Sequence, residues 1–187
     1  MDVGLLGRAA VMFAVTNVDD LVLLAVFFGQ VAGRRGALKV VAGQCLGFAA
    51  ILAVSVAGAL GAGLLPDGAV RWLGVLPVLL GLRAAWQAWQ QDDDEPAPAA
   101  GVLGIAAVCF ANGGDNVGVY VPAFAATGPA GLVDYVVVFL AGVAVWCLAG
   151  RFLATRPGVG RVLARWGHVV LPVVLVALGV LILFGAF

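Results

Sequence analysis

The chain has 187 residues, 64% hydrophobic and 11% charged, with a mean hydropathy of +1.13. A soluble domain of this length needs a far more polar surface, so the composition predicts an all-α membrane protein of several spans. Ten basic and ten acidic residues cancel, which leaves no basic stripe for nucleic acid, and the isolated Cys45, Cys109 and Cys147 suit neither a disulfide framework nor a zinc site.

The start, MDVGLLGRAAVMF, lacks a basic region followed by a small-residue cleavage site, so no cleaved leader is expected. Crossing the hydrocarbon takes about 20 apolar residues. Six segments qualify: 7–30, 38–63, 70–90, 101–125, 132–154 and 165–186. The first carries Thr16, Asn17, Asp19 and Asp20 near its middle, and the second carries Gln44. The third contains Pro77, and the acidic, Pro/Ala-rich linker QDDDEPAPAA (91–100) follows it. The fourth holds Cys109, Asn112, Gly113, Gly114, Asp115, Asn116 and Tyr120. The break TGPAGLVD (127–134) separates it from the fifth, and His168 and Pro172 lie in the sixth.

The chain repeats. A shift of 95 residues places Asn17 on Asn112, Asp20 on Asp115, Gly33 on Gly128, Gly36 on Gly131, Gly47 on Gly142 and Pro77 on Pro172. The predicted organisation is a three-helix unit over 1–90, the linker, and a second unit over 101–187, together one transporter domain. Because three is odd, consecutive copies cross the bilayer in opposite senses, as in inverted-repeat transporters. Eight Lys/Arg residues fall on one side and two, Arg8 and Arg71, on the other. That asymmetry predicts a multi-pass plasma-membrane protein with both termini outside.

Each carboxylate at the bilayer centre costs roughly 2.5–3.5 kcal/mol. Asp19, Asp20 and Asp115 have no Lys or Arg at comparable depth. Nothing in the sequence compensates them internally: either they are protonated or an external cation completes the site. Asn17 and Asp20 are three apart, as are Asn112 and Asp115, with Asn116 one further, so each set shares a helix face. Asn17, Asp19, Asp20, Asn112, Asp115 and Asn116 form a hard-oxygen set suited to a divalent cation. Gly113 and Gly114 permit local unwinding, which would add backbone carbonyls. Thr16, Gln44, Cys109 and Tyr120 are candidates for a supporting shell. Cys109 reads either as a soft thiolate ligand or as apolar filler. Asp19, which faces Gly114 at the shifted position, reads either as a ligand or as a proton carrier.

The stretches TNVDDLVLLAVFF and FANGGDNVGVYVPAF resemble the cadmium resistance transporter family, within the larger group of LysE-like exporters. The resemblance extends over the whole chain in length and six-span plan. It implies export of cadmium or a similar divalent metal, with no cofactor and the metal itself as substrate. Thr16, Asn17, Asp19, Asp20, Asn112, Asp115 and Asn116 would then line the ion path. The expected partners are the metal ion and the lipid bilayer, and a homodimer fits a chain this small. The absence of a GxxxxGK[ST] motif favours metal/proton antiport over ATP. Alternative cargoes on the same plan are Mn²⁺, Ca²⁺ or an amino acid, although the last would want a buried cation for its carboxylate. An intramembrane Asp-dependent enzyme fits less well. A prenyltransferase needs basic residues for diphosphate, and the GxGD proteases need Gly-x-Gly-Asp where this chain has Asn-Gly-Gly-Asp.

Overall fold

The computed structural model describes residues 3–62, 64, 72–73, 75, 78–79, 82, 85–86, 101–156, 173, 176–177, 180 and 183–184. Apart from those scattered positions, the expected third and sixth helices lie outside the described residues, as do Pro77, the 91–100 linker, His168 and Pro172. The described residues form no strand. Their helices are α1 (Val3–Thr16), α2 (Val18–Gln30), α3 (Gly33–Ala62), α4 (Val102–Asn112) and α5 (Gly114–Ala154).

The expected helix over 7–30 is two helices. They meet at Asn17 and are bent by 56°. Asn17 leaves helical geometry (φ −115°, ψ 24°) and turns its side-chain amide back on the Phe13 carbonyl at 2.8 Å. An Asn side chain that competes for backbone partners in this way favours a helix end over a helix interior. The second interruption is narrower than the Gly113–Gly114 pair suggested. Gly113 alone leaves the helix (φ −85°, ψ 14°), and Gly114 already begins α5. Glycine lets α3 approach closely there, since a Cβ would displace the end of the Ile51 side chain.

The expected break over 127–134 shrinks to one residue. Gly128 takes φ 69°, ψ 179° and divides α5 into two helical arms. Pro129, with its fixed φ, then opens the second arm, where its missing N–H costs no helical bond. Gly33, at the start of α3, has the same φ of 69°, and the two glycines stand 95 residues apart. The helix expected to start at 38 starts at Gly33, because Arg34, Arg35 and Lys39 suit a helix as well as a loop.

α5 packs against α1, α2 and α3, and α3 also packs against α4. Gly131 of α5 lies beside Leu5 of α1, and Gly150 lies against Leu24 of α2. The Gly128 kink and the start of α1 therefore share one end of the molecule, while the α2–α3 turn and the end of α5 share the other. Between them Phe13, Phe48, Tyr120, Phe124, Tyr135 and Phe139 form a continuous aromatic core, with Tyr120 and Phe139 centroids 4.8 Å apart. Leu60, Leu103 and Leu148 are 61%, 76% and 72% exposed, an outer face suited to lipid. α3 and α5 are long and apolar enough to cross a membrane, and α1–α2 makes a third span if the bent pair is counted as one.

Candidate metal centre

Asp19 and Asp20 sit in the first turn of α2, immediately beyond the Asn17 break, and Asp115 sits in the first turn of α5, beyond the Gly113 break. A helix start presents unpaired backbone N–H groups and the positive end of the macrodipole. Cutting each helix just before its acids therefore supplies partial positive charge where the sequence offers no Lys or Arg. Asp115 Oδ1 accepts the Asn116 backbone N–H at 3.0 Å in this way.

The two halves meet through an amide. Asn112, the last residue of α4, donates from Nδ2 to Asp19 Oδ2 at 2.8 Å and to Asp20 Oδ1 at 2.9 Å. Gln44 of α3 donates from Nε2 to Asp20 Oδ2 at 3.0 Å. Three of the four oxygens of the Asp19/Asp20 pair thus hold an N–H donor. The fourth, Asp19 Oδ1, is buried without a hydrogen-bond partner among the described residues. The expectation that nothing internal compensates these acids is corrected: two amides and a helix start do so, short of that one oxygen. Asp115, half-buried, is near enough to both carboxylates for their like charges to repel. Among the described residues, no group of three His, Cys, Asp or Glu side chains is placed to hold a metal ion.

A second network adjoins the first. Asn17 Nδ2, which also serves the Phe13 carbonyl, donates to Tyr120 Oη at 2.8 Å and stands 3.0 Å from Thr16 Oγ1, and its Oδ1 faces Asn116 Nδ2 at 3.4 Å. Thr16 gives its hydroxyl to the Met12 carbonyl at 2.8 Å and stands 2.9 Å from Tyr120 Oη. Thr16, Asn17, Asn116 and Tyr120 are all at most 2% exposed. Every contact to Tyr120 and Asn116 here joins the first half of the chain to the second.

The structure thus brings together Asn17, Asp19, Asp20, Asn112 and Asn116, with Asp115 beside them and Gln44, Thr16 and Tyr120 in contact. Cys109 is buried, and its thiol faces the Gln44 carbonyl oxygen at 3.9 Å. Trp146 escaped the sequence reading. Its Nε1 donates at 2.6 Å to the Asn17 carbonyl oxygen, the backbone acceptor at the break, which also takes the Leu21 N–H at 3.2 Å. A Trp inside an apolar run carries no signal distinguishing this contact from packing.

No curated protein and no solved structure matches the chain. The family model described as cadmium resistance transporter matches residues 13–186, a span that takes in both acid-bearing motifs. An apolar helical chain with carboxylates at two helix breaks, matched over nearly its whole length, belongs to the cadmium resistance transporter family.

Proposed function

We propose that this protein exports a divalent heavy-metal cation, cadmium or a similar ion, from the cytoplasm across the plasma membrane in exchange for protons. The observation that carries this reading is Asp19 Oδ1. A buried carboxylate oxygen without a donor among the described residues, in an acidic pair with Asp115 near it, is a place where positive charge is stabilised. The ligands on this reading are Asn17, Asp19, Asp20, Asn112, Asp115 and Asn116, with Thr16, Gln44 and Tyr120 holding them in place. Cation entry between Asp19 and Asp20 requires the Asn112 amide to turn, so that Oδ1 replaces Nδ2 toward the ion. Asp115 then moves in to complete the charge balance.

The two units, 1–90 and 101–187, rock about this site as inverted repeats of three spans each, with both termini outside. Gly33 and Gly128, which share a φ of 69° at the 95-residue offset, support the duplication. Protons that reach the carboxylates from outside displace the metal. Among the described residues, the side-chain donors to Asp19 and Asp20 are amides and not Lys or Arg, which disfavours an amino acid cargo; the oxygen donors suit Mn²⁺ and Ca²⁺ as well.

Efflux from metal-loaded vesicles tests the scheme across Cd²⁺, Zn²⁺, Mn²⁺ and Ca²⁺. Cd²⁺ efflux driven by an imposed pH gradient is expected, and efflux indifferent to the gradient refutes the proton coupling. Asp20→Asn and Asp115→Asn are each expected to abolish efflux in protein that still elutes as a single species. Full efflux in both variants would refute the site.

A further inference from the structure

The α2–α3 turn, the first turn of α3 and the last turn of α5 line an open cavity of about 350 Å³ at the end of the described helices away from the Gly128 kink. Arg34 of α3 and Arg151 of α5 both line it, with Thr155 beside them and Phe28 and Val31 along one wall. None of its described lining residues is acidic. Among the described residues neither Arg34 nor Arg151 forms an ion pair.

Two guanidinium groups that line one cleft from separate helices make it a region of positive potential, which an anion would neutralise. Arg151 is well placed for the α5 dipole, since it lies in the last turn. Arg34 is badly placed: it sits in the first turn of α3, where the dipole already favours negative charge, and that turn holds no acid. Helix propensity alone does not account for it. The backbone at Gly33, at the cavity wall, also faces open space, since nothing lies within 4 Å of where a Cβ would be.

A cavity of this charge is a poor vestibule for a metal cation. We infer that it binds a phosphate-bearing anion, with Arg34 and Arg151 as the two cationic arms that hold the phosphate oxygens. Guanidinium groups pair with phosphate by two parallel N–H···O bonds, which suits a ligand held from two sides. The apolar wall of Phe28 and Val31 suits a phosphate attached to an acyl-bearing body, as in an anionic phospholipid headgroup, better than free phosphate.

The test uses the purified full chain, with lipid retention read by native mass spectrometry and by a fluorescent-lipid titration. The probes are dioleoylphosphatidylglycerol, dioleoylphosphatidylcholine, dioleoylglycerol and inorganic phosphate. The wild-type chain is expected to bind phosphatidylglycerol more tightly than phosphatidylcholine or the phosphate-free diacylglycerol, a comparison that depends on no variant. The double variant Arg34→Gln/Arg151→Gln is expected to weaken that binding about tenfold, the equivalent of one charge-assisted hydrogen bond. Arg35→Gln, outside the cavity lining, leaves it unchanged. Displacement of the lipid by millimolar inorganic phosphate assigns the site to soluble phosphate, and resistance to displacement assigns it to the headgroup. The inference is overturned if the wild-type chain shows no preference among the lipids and binds no phosphate. It is equally overturned if the double variant binds as the wild type does, or if Arg35→Gln weakens binding as much as the double variant.

Discussion

At the scale of single residues, the polar interior turns on the two oxygens of Asp19. Oδ2 accepts the Asn112 amide at 2.8 Å, while the buried Oδ1 accepts nothing from the described residues. Replacing Asp19 by Asn removes a charge held near Asp20 and Asp115, and is expected to raise the unfolding free energy in detergent by about 1 kcal/mol while impairing efflux, a trade-off typical of functional sites. Asn112→Ala acts in the opposite direction. It strips one donor from each of two carboxylates, and a loss of about 2 kcal/mol is expected, because hydrogen bonds to charged groups contribute ~1.5–3 kcal/mol each and the site is only part-buried. Thermal unfolding of both variants beside the parent protein reads both signs. Tyr120→Phe deletes the hydroxyl that meets Thr16 and Asn17, and Trp146→Phe the donor to the Asn17 carbonyl. Each is expected to cost about 1 kcal/mol, the net worth of one neutral hydrogen bond, and to slow efflux without abolishing it.

At the scale of elements, the helices are interrupted just before their acids. The breaks at Asn17 and Gly113 put three carboxylates into first turns, at the positive ends of helix dipoles, and Asp115 there accepts the Asn116 backbone N–H. The apolar runs made the helices legible, and Asn-Gly-Gly made a weak point in the fourth legible. The break at Asn17 was not, since TNVDD reads as an unbroken helix until the Asn side chain is seen on the Phe13 carbonyl. The turns at Gly33 and Gly128 share one left-handed φ of 69°. Gly33→Ala meets no atom within 4 Å, so its cost is that of the backbone alone, about 1–2 kcal/mol. Gly33→Asn is expected to recover part of that loss, because Asn tolerates the left-handed region better than Ala. If Ala and Asn were equally stable in a denaturation titration, the strain account would be wrong.

At the scale of the whole molecule, the site lies where the two halves of the chain touch. Asn112 reaches the first-half acids, and Tyr120 and Asn116 reach Asn17, so any relative movement of the halves remakes these bonds. The aromatic core of Phe13, Phe48, Tyr120, Phe124, Tyr135 and Phe139 adjoins this network through Tyr120, on the side of the Gly128 kink. The arginine-lined cavity lies at the other end of the described helices. The proposed orientation predicts that affinity tags at the two termini are both cleaved by protease added outside intact cells. Protection of either tag would count against a six-span plan with both ends outside.

The sequence by itself determined that this is an apolar helical chain with two acid-bearing motifs 95 residues apart, because composition, scarce polar residues and their spacing are local properties. It also carried the family resemblance, since that rests on contiguous motifs. Tertiary structure alone decided that an Asn112 amide stands between Asp19 and Asp20, that Gln44 serves Asp20, and that Trp146 holds the Asn17 carbonyl. Those contacts join residues 24 to 129 positions apart, and which side-chain atom meets which depends on helix crossing and rotamer. No periodicity in the sequence encodes them.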